Sequence, residues 1–566
     1  PVGAVLEPDG VQGDYVVDEV ILHGPTGDQL AAFIDTYEAE VIFGDDLPGD
    51  PGNLPPDKLR PEFNTTDDYL LRVNLNLADT TEFEHWMEQQ GYEGEYVFSS
   101  DEAMRVVAIV AKEQQVNDLS ISLNPLMMPP EQPAETSGRL GGAVERMPFR
   151  WRSLPPQETP FRWRVIRAGA GSADCVMCRT EEYAVTGGYA NGFGFSWLND
   201  ADLRATRAWQ YYDLLGLSPS SYPVLAMVDF GFSLNADFPS NLPQYDFETD
   251  SHTTNGNANT LPSGGKWHGT GALGLAAARL NNRFGTAGTG GQVAFPYLFR
   301  PEGTLYGVAL AIRTAVYWGA DVVNVSAAAE GASIFKWLAL NKASNKAASA
   351  GVVVLVTAGN NGADGAPSEW RLFRVTARHQ NGPFQSDGSK YYPCNTSGFL
   401  CVGGIDMSTK QAHGGSNYGS KVEVWGPYNG LQTTPNPDSS GNLVGFGGTC
   451  GASAYVAGVV TLMKAVSPTL TYQGARDLLV STANSSTDPK LAASGYLNAY
   501  GAPSEWRLFR VTARWRRRPR APGSPLRMTR TNPTTRRPRR LRWRRACSPR
   551  PLARRTSTIT CLKRPT

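Results

Sequence analysis

Apolar and polar positions along the first quarter of the chain follow two periods. Runs typical of strands occur at 15–22, 40–43, 69–74 and 106–110, and helical spacing occurs at 28–37 and 82–90. Two rounds of strand, helix and strand predict a small α+β domain over residues 14–128. Its histidines, His23 and His85, have no neighbouring nucleophile or ligand set, so we interpret both as surface residues.

The pattern changes after residue 128. Residues 129–199 are rich in Pro, Arg and Gly, which predicts a linker. From about 200 to 500, short apolar runs alternate with helical stretches, the pattern of a parallel sheet with helices on both faces. Strands are predicted at 224–228, 293–298, 322–325, 352–356 and 400–402, and helices at 268–280, 306–318 and 335–350. Because ligands bind at the carboxyl ends of such strands, the residues that follow them are the candidates for chemistry.

One apolar stretch stands out near the end of this region. Gly447-Gly448-Thr449 leads into an almost wholly apolar run that reaches Val466, which predicts a buried helix. The free amides and the dipole at its N-terminus favour negative charge, so Cys450 lies where an activated nucleophile would stand. No apolar run free of charge approaches 18 residues, so we expect no membrane span.

Three other polar residues lie at the ends of predicted elements in the same region. Asp229 follows the first strand, His268 opens a helix, and Asn360 lies in a glycine loop after a later strand. Each has an ordinary explanation as a turn or cap residue when taken alone. With Cys450 they supply a carboxylate, an imidazole, an amide donor and a nucleophile, which are the parts needed for acyl transfer.

These residues resemble the subtilisin-like proteases, the subtilases, in type and in chain order. Asp229 matches the family's strand-Asp-x-Gly motif, and His268 matches its His-Gly-Thr motif. Asn360 matches the oxyanion asparagine of Ala-Gly-Asn, and Cys450 stands at the family's nucleophilic serine. The resemblance implies a subtilisin-like α/β fold over residues 200–500.

The same resemblance carries functional expectations. It implies an extracellular or otherwise extracytoplasmic endopeptidase acting on polypeptides, made with an N-terminal domain that assists folding and inhibits the enzyme. It implies no required cofactor. Calcium is common in the family, but no motif here specifies its ligands, so we assign no metal site.

The segment Ser326, Ala327, Ala328 and Ala329 is the predicted substrate-binding wall. After the serine, the family typically has an apolar residue and two glycines at this place. Here alanines follow, and their methyl groups narrow a site that the substrate backbone must approach closely. We therefore expect altered or impaired substrate binding.

Cys450 decides what activity to expect. A thiol loses its proton more readily than a hydroxyl, so a thiolate and a thioester intermediate are chemically available. Sulfur is also larger than oxygen, and misplacing a reacting atom by ~1 Å can cost ~10²-fold in rate. We expect weak amide hydrolysis, and three alternatives stay open: a natural pseudoprotease that binds peptides, a disabled serine protease, and a working thiol enzyme.

Charge divides the chain near its C-terminal end. The totals are 53 basic and 53 acidic residues, but 515–566 contains 17 Arg, one Lys and no acidic residue. Residues 501–514 repeat 365–378 identically. We interpret 501–566 as a duplicated segment followed by a disordered basic tail. Such a tail could bind nucleic acid through counterion release, a function that we do not favour.

Seven cysteines are too few for a scaffold built on disulfides. Cys394 and Cys401 bracket a short loop and could form a disulfide in an oxidising compartment. Cys175 and Cys178 could form a vicinal disulfide or be an ordinary pair. Zinc binding at 175–178 is not expected, because no second ligand pair follows at a usable spacing.

Overall fold

The computed structural model describes most of the two predicted folded regions. The described residues are 1–127, 203, 205–214, 222–253, 268–279, 287–362, 391–433 and 443–501, except 9, 10, 56, 292, 408, 492 and 493. All of them belong to one compact unit, Pro1–Ala513. The predicted linker at 129–199, Cys175 and Cys178, and the tail from residue 502 onward lie outside the described residues.

The N-terminal region is an antiparallel sheet with helices packed on it. Its elements are β1 Val2–Leu6, β2 Gln12–His23, α1 Gly27–Tyr37, β3 Glu40–Phe43, β4 Asp68–Arg72, α2 Phe83–Gln89, β5 Val97–Phe98, α3 Asp101–Val116 and β6 Ile121–Pro125. The strand order is β3-β4-β2-β1-β5, and β6 also pairs with β2. The sheet and helices agree with the predicted α+β class.

The prediction of a strand at 106–110 is wrong, because these residues form the middle of α3. The run is rich in β-branched residues, which favour strands locally. However, the Ser100 hydroxyl accepts a hydrogen bond from the Ala103 amide and caps a helix there. Burial of the helix against the sheet then overrides the local preference. The strands β1 and β6 were not predicted.

The second region is a mostly parallel sheet covered by helices. Its elements are α4 Ala205–Leu214, β7 Val224–Val228, β8 Gln244–Asp246, α5 His268–Ala277, β9 Phe295–Arg300, α6 Leu305–Tyr317, β10 Val322–Val325, β11 Ala329–Glu330, α7 Leu338–Ser349, β12 Val353–Thr357, β13 Tyr391–Tyr392, β14 Phe399–Asp406, β15 Gln411–Ala412, β16 Val424–Pro427, β17 Asn429–Thr433, β18 Leu443–Gly447, α8 Gly448–Val466 and α9 Tyr472–Ser481. The main strand order is β15-β14-β12-β10-β7-β9-β8, with β16 also paired to β14. The predicted α/β architecture is therefore confirmed, with element ends shifted by a few residues.

Helix α8 forms the core of this second region. It packs against α5 and against β10, β12, β14 and β16. Gly458 permits the close approach, since a Cβ there would lie 2.1 Å from Thr289 Oγ1 and 2.6 Å from the Ala276 carbonyl oxygen. Among the described helices, α8 is the one long and apolar enough to cross a membrane, but 94% of its apolar stretch is buried inside the protein. Its apolar character is that of a core helix.

Candidate active site

The carboxyl ends of neighbouring strands bring the predicted site residues to one edge of the sheet. Strands β7, β10 and β12 are adjacent and parallel. Asp229 follows β7 directly, and Asn360 lies in the loop after β12. Helix α5 begins with His268, and Cys450 is the third residue of α8. The side-chain contacts described next join all four residues.

Asp229 and His268 form a buried pair. Nδ1 of the imidazole lies 2.5 Å from Oδ1 of the carboxylate, and that oxygen also accepts a 2.6 Å hydrogen bond from the Phe230 amide. An ionised carboxylate can only accept hydrogen bonds, so Nδ1 of the ring carries a proton. This tautomer leaves Nε2 as the nitrogen that can exchange a proton with a nucleophile.

His268 also interacts electrostatically with the side chain of Cys450. Cys450 is fully buried and carries a free thiol. Burial alone would lower the pKa of His268, but the negative charges of Asp229 and Cys450 outweigh it and raise that pKa to about 10. The raised pKa favours the protonated, cationic form of the imidazole.

Thr449, the neighbour of Cys450 in the chain, holds the side chain of Asn360. The backbone N–H and the hydroxyl of Thr449 both donate to Asn360 Oδ1, each over 2.8 Å. Only the oxygen end of the carboxamide can accept these bonds, so the orientation of its NH2 group is fixed as well. Gly448 has a φ of +84°, and a Cβ there would lie 2.6 Å from Asn360 Nδ2. Glycine is therefore required at position 448, where the backbone lies against the side-chain amide of Asn360.

The four expected substrate-binding residues follow β10. Ser326 and Ala327 are buried, whereas Ala328 and Ala329 are half-buried. The Ser326 hydroxyl accepts a 3.1 Å hydrogen bond from Asn324 Nδ2, so its side chain is engaged in the core. Ala329 begins β11, which pairs with β13. The partly exposed alanines are the part of this segment that can meet a substrate.

A buried hydrogen bond between Asn324 and Ser453 was missed in the sequence. Ser453 Oγ donates to Asn324 Oδ1 over 2.6 Å and ties α8 to β10. Both residues are polar positions inside apolar runs, and buried polar side chains need partners. That signal indicated a buried pair, although it did not identify which residues would meet.

A contact between Phe446 and His268 was also missed. The two rings meet edge to face with centroids 5.0 Å apart. The phenyl ring fills the space beside Gly271, where a Cβ would lie 2.2 Å from it. Because Gly271 has no side chain, it leaves room for the ring of Phe446. No local sequence pattern predicts a contact between two residues that are so far apart in the chain.

The remaining sequence predictions concern a disulfide and possible metal ligands. Cys394 and Cys401 form a disulfide, one of the pairings that the sequence left open. Among the described residues, no group of three or more His, Cys, Asp and Glu side chains is arranged to hold a metal ion. Side-chain ligands for the calcium that the resemblance suggests are therefore not found in this part of the chain.

The placement of an Asp–His pair, Cys450 and the oriented amide of Asn360 at one edge of an α/β sheet resembles the arrangement used by acyl hydrolases of the triad type. The sequence profile of the subtilase family matches residues 220–502, half of the chain. The chain belongs to the subtilase family.

Individual relatives agree with this assignment. An extracellular protease of Xanthomonas campestris pv. campestris is 29% identical over 301 residues, which cover 46% of this chain and 47% of that protein. Subtilisin DY of Bacillus licheniformis is 28% identical over 257 residues, covering 45% of this chain and 80% of that protein. The match thus spans about half the length of the first relative and most of the second.

A solved structure shows the same fold. Fervidolysin from Fervidobacterium pennivorans, a keratinolytic enzyme related to subtilisin, superposes with a TM-score of 0.52 at 17% sequence identity. The alignment covers 87% of this chain and 61% of fervidolysin. At that identity the likeness supports the subtilisin-like fold, and it does not extend to the substrate.

Proposed function

We propose that this protein is a subtilisin-like endopeptidase whose nucleophile position holds Cys450. The observation that carries the proposal is that His268 hydrogen-bonds with Asp229 and interacts electrostatically with Cys450. Asn360 lies beside them, oriented by Thr449. A proton acceptor, its orienting carboxylate, a nucleophile and an oxyanion donor are therefore within reach of one scissile carbonyl.

Hydrolysis follows from these positions. With the proton of the Cys450–His268 pair on His268, Sγ attacks the carbonyl carbon while the π electrons move to oxygen. The Asn360 carboxamide and the backbone N–H of Cys450 stabilise the oxyanion. The C–N bond then breaks, and His268 returns the proton to the departing amine. Water hydrolyses the thioester by the same route and regenerates Cys450.

Replacing Cys450 by serine tests this proposal. We expect Cys450→Ser to cleave unstructured peptides faster than the parent, by ~10²-fold, because the larger sulfur displaces the attacking atom in a site shaped for oxygen. Cleavage is measured by mass spectrometry of a peptide mixture. The double variant Cys450→Ser/His268→Ala is the matched control and should be inactive. If neither the parent chain nor the Cys450→Ser variant cleaves any peptide, the proposed function is wrong.

A peptide-binding protein without turnover is the second candidate. It is favoured by the complete burial of Cys450 and by the alanine side chains of Ala328 and Ala329 in the expected groove wall. In that case the parent and Cys450→Ser chains bind the same peptides with similar affinity and release them uncut. Isothermal titration with peptides recovered from the mixture separates the two candidates.

We also propose that the N-terminal domain acts as an inhibitor and folding aid for the second region. The N-terminal domain packs against α6 and α7 of the second region. Asn124 Oδ1 accepts a 3.1 Å hydrogen bond from the Tyr306 amide in the first turn of α6. Glu7 Oε1 accepts bonds of 2.7 and 3.2 Å from the amides of Ser333 and Ile334, shortly before α7. These contacts satisfy amide groups that the second region leaves open.

Self-processing gives the test of the N-terminal role. We expect the full-length Cys450→Ser chain to be cut between about 129 and 200, which leaves the N-terminal domain bound but severed. Mass spectrometry after expression locates the cut, and the additional His268→Ala substitution should prevent it. A stable uncut product with good peptidase activity would contradict self-processing.

An extracytoplasmic location and a reaction without a cofactor complete the proposal. The Cys394–Cys401 disulfide is typical of oxidising compartments. One relative is described as an extracellular protease. The steps above move protons and electron pairs only among protein side chains, the peptide and water.

A further inference from the structure

Thr357 carries a buried hydroxyl beneath the candidate site. The proposed mechanism assigns no role to this hydroxyl. Thr357 is the last residue of β12 and is fully buried. Its Oγ1 makes a close hydrogen bond with Thr449 Oγ1. The Sγ of Cys450 lies 3.9 Å from the same oxygen, in position to donate to it. One hydroxyl therefore contacts both the nucleophile and the residue that holds the oxyanion amide.

The direction of these hydrogen bonds is determined by the number of protons available. A hydroxyl has one proton to donate and two lone pairs to accept with. Thr449 gives its hydroxyl proton to Asn360 Oδ1. Thr357 must therefore be the donor in the bond between the two threonines. Thr449 Oγ1 also accepts from the Gly359 amide over 3.1 Å, so its hydrogen-bonding capacity is filled.

We propose that Thr357 is a positioning residue that orients the oxyanion amide of Asn360 through Thr449. The inference rests on the proposed peptidase function. By donating to Thr449 Oγ1, Thr357 prevents the Thr449 hydroxyl from turning toward β12, so its proton stays on Asn360 Oδ1. The chain of hydrogen bonds fixes the carboxamide and polarises it, which makes its NH2 group a better donor to a developing oxyanion.

Removing the Thr357 hydroxyl in the Cys450→Ser background is the primary test. Thr357→Val keeps the shape of the side chain, and Thr449 then loses its fixed orientation. We expect kcat to fall by about 10-fold with KM nearly unchanged, because the amide acts on the transition state. The pH profile of kcat/KM should stay the same, since Asp229 and His268 are not touched. Thr357→Ser should restore most of the activity.

A double-mutant cycle separates positioning from a general structural effect. Asn360→Ala removes the group on which Thr357 is proposed to act. In that background Thr357→Val should leave kcat nearly unchanged, because the two substitutions remove the same interaction. If the two losses multiply, or if Thr357→Val alone leaves kcat unchanged, the proposal is overturned.

A reversible covalent ligand tests the inference without turnover, in the chain with Cys450. A peptide aldehyde forms a hemithioacetal: the Sγ–C bond forms, the carbonyl π bond breaks, and the thiol proton passes through His268 to the oxygen. We expect Thr357→Val to weaken aldehyde binding by about 10-fold and to leave binding of the matching peptide alcohol unchanged. Equal aldehyde affinity, including none for either protein, contradicts the inference. Failure of Cys450→Ser to cleave peptides overturns the proposed function alone.

Discussion

The chain contains two buried Asp–His pairs that share a geometry and differ in their surroundings. In the active-site region, His268 Nδ1 lies 2.5 Å from Asp229. In the N-terminal domain, His23 Nδ1 lies 2.9 Å from Asp68. Our interpretation of His23 as a surface residue is wrong, since its side chain is buried beneath the domain contact, whereas His85 is exposed as expected.

The neighbours of the two carboxylates explain how the pairs differ. Asp68 also binds Arg313 of α6 over 2.6 Å and Lys342 of α7 over 2.7 Å, so its charge is shared with two cations. Burial lowers the pKa of His23; Asp68 opposes that effect, while Lys342 and Arg313 add to it. His23 is thus held neutral, with its Nε2 bonded to Ser122.

At the other pair, the second neighbour of the histidine is the acidic side chain of Cys450, where His23 has the neutral hydroxyl of Ser122. Asp229 and Cys450 together overcome burial and raise the pKa of His268. Cations already neutralise the carboxylate of the Asp68 pair, whereas the charge of Asp229 acts mainly on His268. The pair at Asp68 holds two domains together, and the pair at Asp229 can move a proton.

The largest expected effect comes from removing the charge of the catalytic pair. Asp229→Asn in the Cys450→Ser background should lower kcat by ~10⁴-fold, because the neutral amide favours the wrong tautomer of His268. The rate of peptide hydrolysis at saturating substrate concentration measures this loss of kcat. Asp68→Asn is the matched control and should leave kcat within a few-fold. Similar losses in both variants would show that the two pairs do not differ in the way described.

Removing the other carboxylate should act on stability. Asp68→Ala leaves the buried guanidinium of Arg313 without its carboxylate, which costs ~3–5 kcal/mol of unfolding free energy. Urea unfolding followed by circular dichroism gives the value. Asp79→Ala is a suitable control, because Asp79 pairs with Lys112 at a partly exposed site and should change stability far less. Equal effects of the two substitutions would contradict a structural role for the pair at Asp68.

The two histidines should give stability a pH dependence of opposite sign. The pKa of His23 is lowered in the folded state, so the unfolded chain takes up its proton first and stability falls as the pH drops below ~6.5. The pKa of His268 is raised, so its contribution is complete below ~6.5 and is lost as the pH rises toward about 10.

A substitution at His23 isolates the smaller of these effects. His23→Asn keeps a donor for Asp68 and removes the titrating ring, so the loss of unfolding free energy between about pH 7 and pH 5 should become shallower. Urea unfolding at both pH values measures the slope. His85→Asn on α2 should leave the slope unchanged. A slope that is identical in the parent and in His23→Asn would argue against titration of His23.

The sequence predicts the catalytic region better than the contacts around it. Asp229, His268, Asn360 and Cys450 could be chosen as candidates because each lies in a local motif at the end of an element. The parallel sheet brings those ends together, whatever the side chains nearby. By contrast, the strand expected at 106–110 depends on local β-branched composition, which a capped and buried helix overrides.

Contacts between distant residues could not be predicted from local pattern. Arg313 reaches Asp68 across 245 positions, and Thr357 meets Thr449 across 92. An isolated polar residue in an apolar run, such as Asn324, indicates that a partner exists, but many residues of the right type are available. The choice among them is made by the packing of whole helices and sheets.

Titration of the two buried histidines by ¹⁵N NMR tests the central comparison most directly. His23→Asn and His268→Asn assign the resonances in the full-length chain. We predict that His268 is still an imidazolium at about pH 8, while His23 is already neutral at about pH 7. If both rings titrate together near pH 6.5, the two pairs are electrostatically alike and the proposed difference between them is wrong.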